Sequence, residues 1–242
     1  MWKNVGYYNG EIGPLEEMKV SMGDQALCFG DGIYEAACVA NRVPFALEDH
    51  LDRMYNSLQF LEIPFQRERD LVRRNCRRSS TRRRRARSTF CTGRFTGGVA
   101  QRESIPCRQR WPSLLAYVRP HGMKYMDQPY RLISLEDNRY KLYDIKTLNL
   151  IPSVLANQRA AERGCDEAVL HRGCRVTECA HSNISMLKDG VLRTAPTDEL
   201  ILPGIARKHF DCAGARARGS GGGDPVLHGG ADERGRSHRR QL

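Results

Sequence analysis

No apolar run in these 242 residues approaches the roughly 18–20 needed to span a bilayer, and no CxxC pair occurs. The first lack argues against a helical membrane span. The second, with nine scattered cysteines, an odd number, argues against a zinc site and against a disulfide framework. The opening residues "MWKNVGYYNGEIG" lack the charged-then-apolar layout of a secretory signal. The expectation is a cytoplasmic protein with no metal and no membrane partner.

Lysine is scarce in a telling way. Residues 66–110 hold 15 Arg, no Lys and 3 acids, and residues 211–242 hold 6 Arg, no Lys and 4 acids, although seven lysines occur elsewhere. The formal charge of +11 comes from these two stretches; the other 165 residues carry 18 basic and 21 acidic groups, a net −3. A basic nucleic-acid arm usually mixes Lys with Arg among aromatic and polar residues, so nucleic acid is not expected as a partner. Disorder is a second account. A displaced reading frame in a GC-rich gene is a third, and it is the one favoured for 66–112 and 211–242. Codons permitted for "TFCTGRF" (residues 89–95), read one base earlier, allow "YVLYWQV", a β-rich run. Those permitted for residues 211–241, read one base later, allow a sequence beginning "IALARELGVPVEE", with helix-like apolar periods. On this reading core strands are lost and the literal chain is unstable or inactive.

The legible parts alternate between helix and strand patterns. "VPFALEDHLDRMYNSLQFLEIPF" puts Leu51, Met54, Tyr55, Leu58 and Leu61 on one helical face, with Pro64 just beyond as a stop. "SLLAYVRP" reads as a strand and "HGMKYMDQPY" as a linker. "RLISL" follows as a strand, then a helix from Ser153 ended by Gly164. "EAVLH" is a strand, "NISMLKDGVLRTA" a hairpin turning at Asp189-Gly190, and "LPGIARKHF" opens another helix. The pattern predicts a two-domain α/β chain: an N-terminal domain over 1–118, a linker over 119–130 and a C-terminal domain over 131–242.

Lys146 sits among small and apolar neighbours between a strand and a helix pattern. Poor solvation there favours a neutral, nucleophilic amine, although a lone lysine more often snorkels at a surface. Context changes its meaning. "FGDGIYEA" (29–36), "EDHLDRM" (48–54), "DIKTLNL" (144–150), "VTECAHSN" (176–183) and "LPGIARKHF" (202–210) occur in that order. Together they resemble the D-amino-acid aminotransferases, members of the fold-type IV pyridoxal-phosphate enzymes. The resemblance covers residues 1–65 and 113–210.

The resemblance implies an α/β (α+β) two-domain fold-type IV architecture, a homodimer, and pyridoxal 5′-phosphate between the domains. It makes Lys146 the Schiff-base lysine and proton shuttle, and Glu178 the acid that faces the pyridine nitrogen. Arg53 would bind the cofactor phosphate with the helix start at Gly204, Ile205 and Ala206, and Tyr34 would line the substrate side. The implied reaction moves an amino group from a D-amino acid such as D-alanine to 2-oxoglutarate, giving pyruvate and D-glutamate. A branched-chain aminotransferase or aminodeoxychorismate lyase of the same fold is the alternative; a basic nucleic-acid-binding protein or a nonfunctional frame-shifted product lies outside it. The chain departs from the family at Cys179, Ala180 and His181, where small serine-rich residues are usual. The family's Arg-x-His trap for the substrate carboxylate would fall within residues 96–107, whose written residues do not display it.

Overall fold

The computed structural model describes residues 4–41, 43–65, 69–70, 72–74, 88–100, 111–120 and 128–218. The chain divides into two compact units, Met1–Gln128 with Ile145–Leu150, and Pro129–Asp144 with Ile151–Leu242. The segment carrying Lys146, expected in a C-terminal domain over 131–242, is thus counted with the first unit. Main-chain pairing is the reason: Ile33 and Thr147 form an isolated bridge, and Lys146 O accepts from Tyr34 N at 3.0 Å while Leu148 N donates to Gly32 O at 3.0 Å. Long-range bonds of this kind leave no local trace in sequence.

The first unit is built on a six-stranded sheet in the order β2-β1-β6-β5-β3-β4. Its strands are β1 (Val5–Tyr8), β2 (Glu11–Pro14), β3 (Gly32–Ala40), β4 (Val43–Pro44), β5 (Ser88–Thr96) and β6 (Leu114–Pro120). The short helix α1 (Gln25–Phe29) precedes β3; Asp24 caps it by accepting Ala26 N at 2.9 Å. Helix α2 (Leu47–Phe60) covers the sheet with Leu51, Met54 and Leu58, which pack with Ile33, Ile63, Val72 and Phe95. The predicted apolar face is therefore real, except that Leu61 lies at the C-cap and Tyr55 is only partly buried.

The structure differs from the expectation of lost strands. The written residues Ser88–Thr96 form β5, paired with β3 over nine positions from Gly32↔Thr96 to Ala40↔Ser88, and with β6 on its other edge. Thr92, Phe95 and Thr96 are buried, and Phe65 meets Phe95 edge-on with ring centres 4.8 Å apart. Threonine and aromatic residues suit a pleated surface whatever the arginine count around them. Val72, also within the suspect stretch, is buried against α2, and Arg69 and Arg73 pair with Glu48 and Asp52 on that helix.

The second unit pairs β7 (Leu132–Glu136) parallel with β8 (Glu167–Arg172), which runs antiparallel to β9 (Arg175–Cys179). Parallel neighbours require a crossover, supplied by α3 (Ile151–Glu162), which begins two residues before the predicted Ser153. Ala156 and Ala160 pack on Ala168, Leu170 and Ala180, small side chains that allow close approach. The hairpin of β10 (Ser185–Lys188) and β11 (Val191–Thr194) turns at Asp189 and Gly190, with φ of 52° and 73°. Two consecutive positive φ values are the signature of a type I′ turn, at the position where the hairpin was expected to turn. Helix α4 (Ile205–Arg218) follows, and its backbone continues well past Phe210 with the written residues. The remaining C-terminal residues, 219–242, lie outside the described ones, as do 75–87.

Candidate active site

Alternation along β3 sends neighbouring side chains to opposite faces. Ile33, Glu35, Ala37 and Val39 face α2 and are buried, while Tyr34 leaves on the other side. Tyr34 is where the structure brings Lys146: Nζ donates to the tyrosine hydroxyl at 3.3 Å and lies 4.4 Å from the ring centre. The paired backbones of the two residues fix this contact. An amine held against one phenol in a partly buried setting has few rotamers left, which is what a positioned nucleophile requires.

On the α2 side, Glu35 gathers a buried cluster. Arg53 gives it Nε at 2.7 Å and Nη2 at 2.9 Å, and His50 Nδ1 lies 2.8 Å from its second oxygen. His50 and Arg53 are three residues apart on α2 and so share a face. Burial opposes ionisation of Glu35, but the bonds from Arg53 and His50 outweigh it and hold the carboxyl below its usual range. The fork of Arg53 is oriented by this bidentate pairing, with two of its five N–H donors engaged by Glu35. Arg53 and the Lys146–Tyr34 pair thus belong to opposite sides of β3.

In the second unit Glu178 is buried at the end of β9. Arg139 Nη1 binds one of its oxygens, and Asn183 Nδ2 donates to the other at 2.9 Å. The same Asn183 amide donates to Leu202 O at 2.9 Å. A Cβ on Gly204 would overlap Asn183 Oδ1, so any larger residue where α4 begins would displace the Asn183 amide from its bonds to Glu178 and Leu202 O. Gly204, Ile205 and Ala206 head that helix; the ladder starts with Lys208 N donating to Gly204 O at 2.9 Å, so the first-turn N–H groups have no partner within the helix. Arg139, Asp137, Asn183, Glu35 and His50 were not singled out from sequence. For Glu35 a signal existed: an acid at an inward position of an alternating strand. For Arg139 and Asn183 none did, since their partners lie far along the chain or across a turn. Residues 101–107, where most of the carboxylate trap was expected, lie outside the described ones.

Residues 32–213 match the family Amino-transferase class IV. The chain is a class IV aminotransferase. It is 35% identical over 213 residues to a D-alanine aminotransferase of Listeria monocytogenes serotype 4b (strain F2365), covering 83% of this chain and 71% of that one. Among solved structures it is similar to a fold IV transaminase from Curtobacterium pusillum, with a TM-score of 0.70 and 26% identity over 85% of this chain and 74% of that one. A branched-chain aminotransferase from Thermoproteus uzoniensis shares the fold at a TM-score of 0.78, with 21% identity over 88% and 75% of the two chains. Class IV aminotransferases are pyridoxal-phosphate enzymes. In the first unit the restrained Lys146 amine is a group that an aldehyde calls for; in the second, the buried Glu178 carboxylate suits a pyridinium and the glycine-headed start of α4 suits a phosphate. No described helix is long and apolar enough to cross a membrane, and no described group of His, Cys, Asp and Glu could hold a metal ion.

Proposed function

We propose that the chain transfers the amino group of a D-amino acid, with D-alanine as donor and 2-oxoglutarate as acceptor, giving pyruvate and D-glutamate, and that it does so as a homodimer with pyridoxal 5′-phosphate. The observation that carries the reading is Lys146 held 3.3 Å from the Tyr34 hydroxyl, in a chain 35% identical to a D-alanine aminotransferase. When bound, the cofactor supplies an electron sink for the pair freed at the substrate Cα.

Each residue then has a task set by its own chemistry. Lys146 offers the amine that binds the cofactor aldehyde and afterwards carries a proton from Cα. The Tyr34 hydroxyl accepts from Nζ and restrains it on the substrate side. Glu178, steadied by Arg139 and Asn183, presents its carboxylate to the ring nitrogen and keeps a proton there. The N–H groups at Gly204, Ile205 and Ala206 take the phosphate; Arg53, its fork engaged by Glu35 on the face of β3 opposite Lys146, joins them by turning one of its remaining N–H donors past the strand. The acceptor and donor acids are small amino and 2-oxo acids.

Lys146→Ala tests the reading. The variant is expected to lose covalent cofactor attachment, seen by borohydride trapping and mass spectrometry, and to lose at least about 10³-fold in rate with D-alanine. Full turnover of D-alanine by this variant would overturn it. Tyr34→Phe keeps the ring contact but removes the acceptor, and is expected to cost about 10–100-fold in kcat while leaving attachment intact. Comparing D-alanine with L-leucine as donor decides between the D-specific assignment and a branched-chain enzyme.

A further inference from the structure

One buried carboxylate in the second unit has no task in the scheme above. Glu167 opens β8 and is 6% exposed. A glutamate this buried is rare unless fully partnered, and its partners all come from one short turn. The backbone N–H of His181 donates to Oε1 at 3.1 Å, and the Ser182 hydroxyl lies 3.1 and 3.0 Å from the two oxygens. His181 Nδ1 is 2.9 Å from Oε1, with Asn157 Nδ2 3.2 Å from that same ring nitrogen. The turn is closed by Cys179 N donating to Ser182 O at 2.7 Å and tied to β8 by Ala180 N donating to Ala168 O at 2.9 Å.

What stands at the two ends of this turn gives the arrangement its consequence. Glu178 precedes Cys179, and Asn183 follows Ser182. Asn183 bonds the Glu178 carboxylate and Leu202 O, and it abuts Gly204 at the head of α4. A shift of the turn therefore moves Glu178 and the α4 start together. Hydrogen bonds to an ionised carboxylate are roughly twice as strong as neutral ones, so Glu167 is a strong hold on the middle of a five-residue loop whose far end is tied by the Asn183 amide.

We propose that Glu167 is a positioning residue that clamps the Cys179–Asn183 turn, and through it sets the place of Glu178 and of the Gly204 helix start. This rests on the reading of Glu178 and Gly204 as cofactor-binding groups, but the clamp itself has a readout independent of that reading. Cys179 lies inside the turn, and its thiol is pushed up to about 11, by burial first and by the charge of Glu167 second. In the intact turn it is silent towards thiol reagents near pH 8.

The test compares the full-length chain with Glu167→Gln, Ser182→Ala and His181→Ala, each without added cofactor. Alkylation of Cys179 is followed by mass spectrometry of the tryptic peptide spanning 176–188. Glu167→Gln is expected to react about tenfold faster at Cys179, as for the loss of one charge-assisted bond. Ser182→Ala, a milder change that keeps the fold, is expected to fall between it and the parent. His181→Ala keeps the backbone donor of a side chain that is 64% exposed, and is expected to stay within about twofold of the parent. With pyridoxal phosphate added, Glu167→Gln is expected to raise the cofactor Kd and shift the pH midpoint of the bound chromophore's visible band; simple loss of folded protein would weaken the band without moving its midpoint. Unchanged Cys179 reactivity in both Glu167→Gln and Ser182→Ala overturns the clamp. A reactive Cys179 together with unchanged cofactor affinity in Glu178→Ala leaves the clamp standing and overturns the cofactor reading instead.

Discussion

Arg139 connects more buried charge than any other described side chain. Its Nε and Nη2 donate to Asp137 at 2.8 and 2.9 Å, Nη1 binds Glu178, Nη2 also reaches Leu200 O at 3.0 Å, and the guanidinium stacks 4.0 Å from the Tyr143 ring centre. Burial by itself would raise the Asp137 carboxyl, but the Arg139 bonds draw it below its ordinary value. Removing the guanidinium leaves two carboxylates with side chains 0% and 7% exposed, and the half-buried Arg172, 3.4 Å from Asp137, replaces only part of the lost charge. Arg139→Met is therefore expected to destabilise by about 3–5 kcal/mol, read as a lower urea midpoint. Arg139→Lys should recover only part of this, because a point charge cannot serve both carboxylates and the aromatic face in one plane. None of this could be read from "EDNRY": Asp137 and Arg139 are close in sequence, but Glu178 is 39 residues away. Lys146 stood out in the sequence through motif order, not through its local surroundings.

Elements with a period were legible, and elements specified by their neighbours were not. The α2 face, the α3 helix and the Asp189-Gly190 hairpin followed from spacing and turn chemistry alone. Strand β5 was obscured because arginine-rich flanks dominated its composition, whereas its place depends on pairing with β3 and β6. One residue in it is suboptimal. Gly93 pairs with Glu35 and Ala116, and a Cβ there would meet only Phe95 Cε2 at an ordinary 3.6 Å. It lines a hollow of about 100 Å³ on the α2 side of the sheet, walled by Val5, Ala37, Met54 and Val118. Glycine inside a strand loses more chain entropy on folding than alanine and packs nothing. Gly93→Ala is thus expected to raise stability by about 0.5–1 kcal/mol in thermal or urea unfolding. A lower midpoint would mean that β5 does not lie in the sheet as described.

For the molecule as a whole, charge sets the response to pH. Glu35 in the first unit and Asp137 and Glu167 in the second all have carboxyls held below their ordinary values by the donors around them. A depressed folded value means that the unfolded chain binds protons first, so the stabilisation is complete at neutral pH. It is lost as pH falls from about 5 through the depressed values. Each protonation also adds positive charge to a chain already at +11, and like charges oppose the compact state. The urea midpoint is therefore expected to hold from pH 7 to about pH 5 and to fall below it, and added salt should restore part of it by screening. The salt term separates the two origins of the charge. We propose that the frame is displaced within 66–112 and 211–242, where the written arginines lack lysine companions. A gene restored in those stretches would encode a chain closer to the mildly acidic remainder, which carries −3. That chain should keep the acid transition set by Glu35, Asp137 and Glu167 but lose most of the salt effect at pH 5. If the restored chain shows the same salt dependence as the literal one, the arginine excess does not oppose folding, and acid unfolding is due to the three buried carboxylates alone.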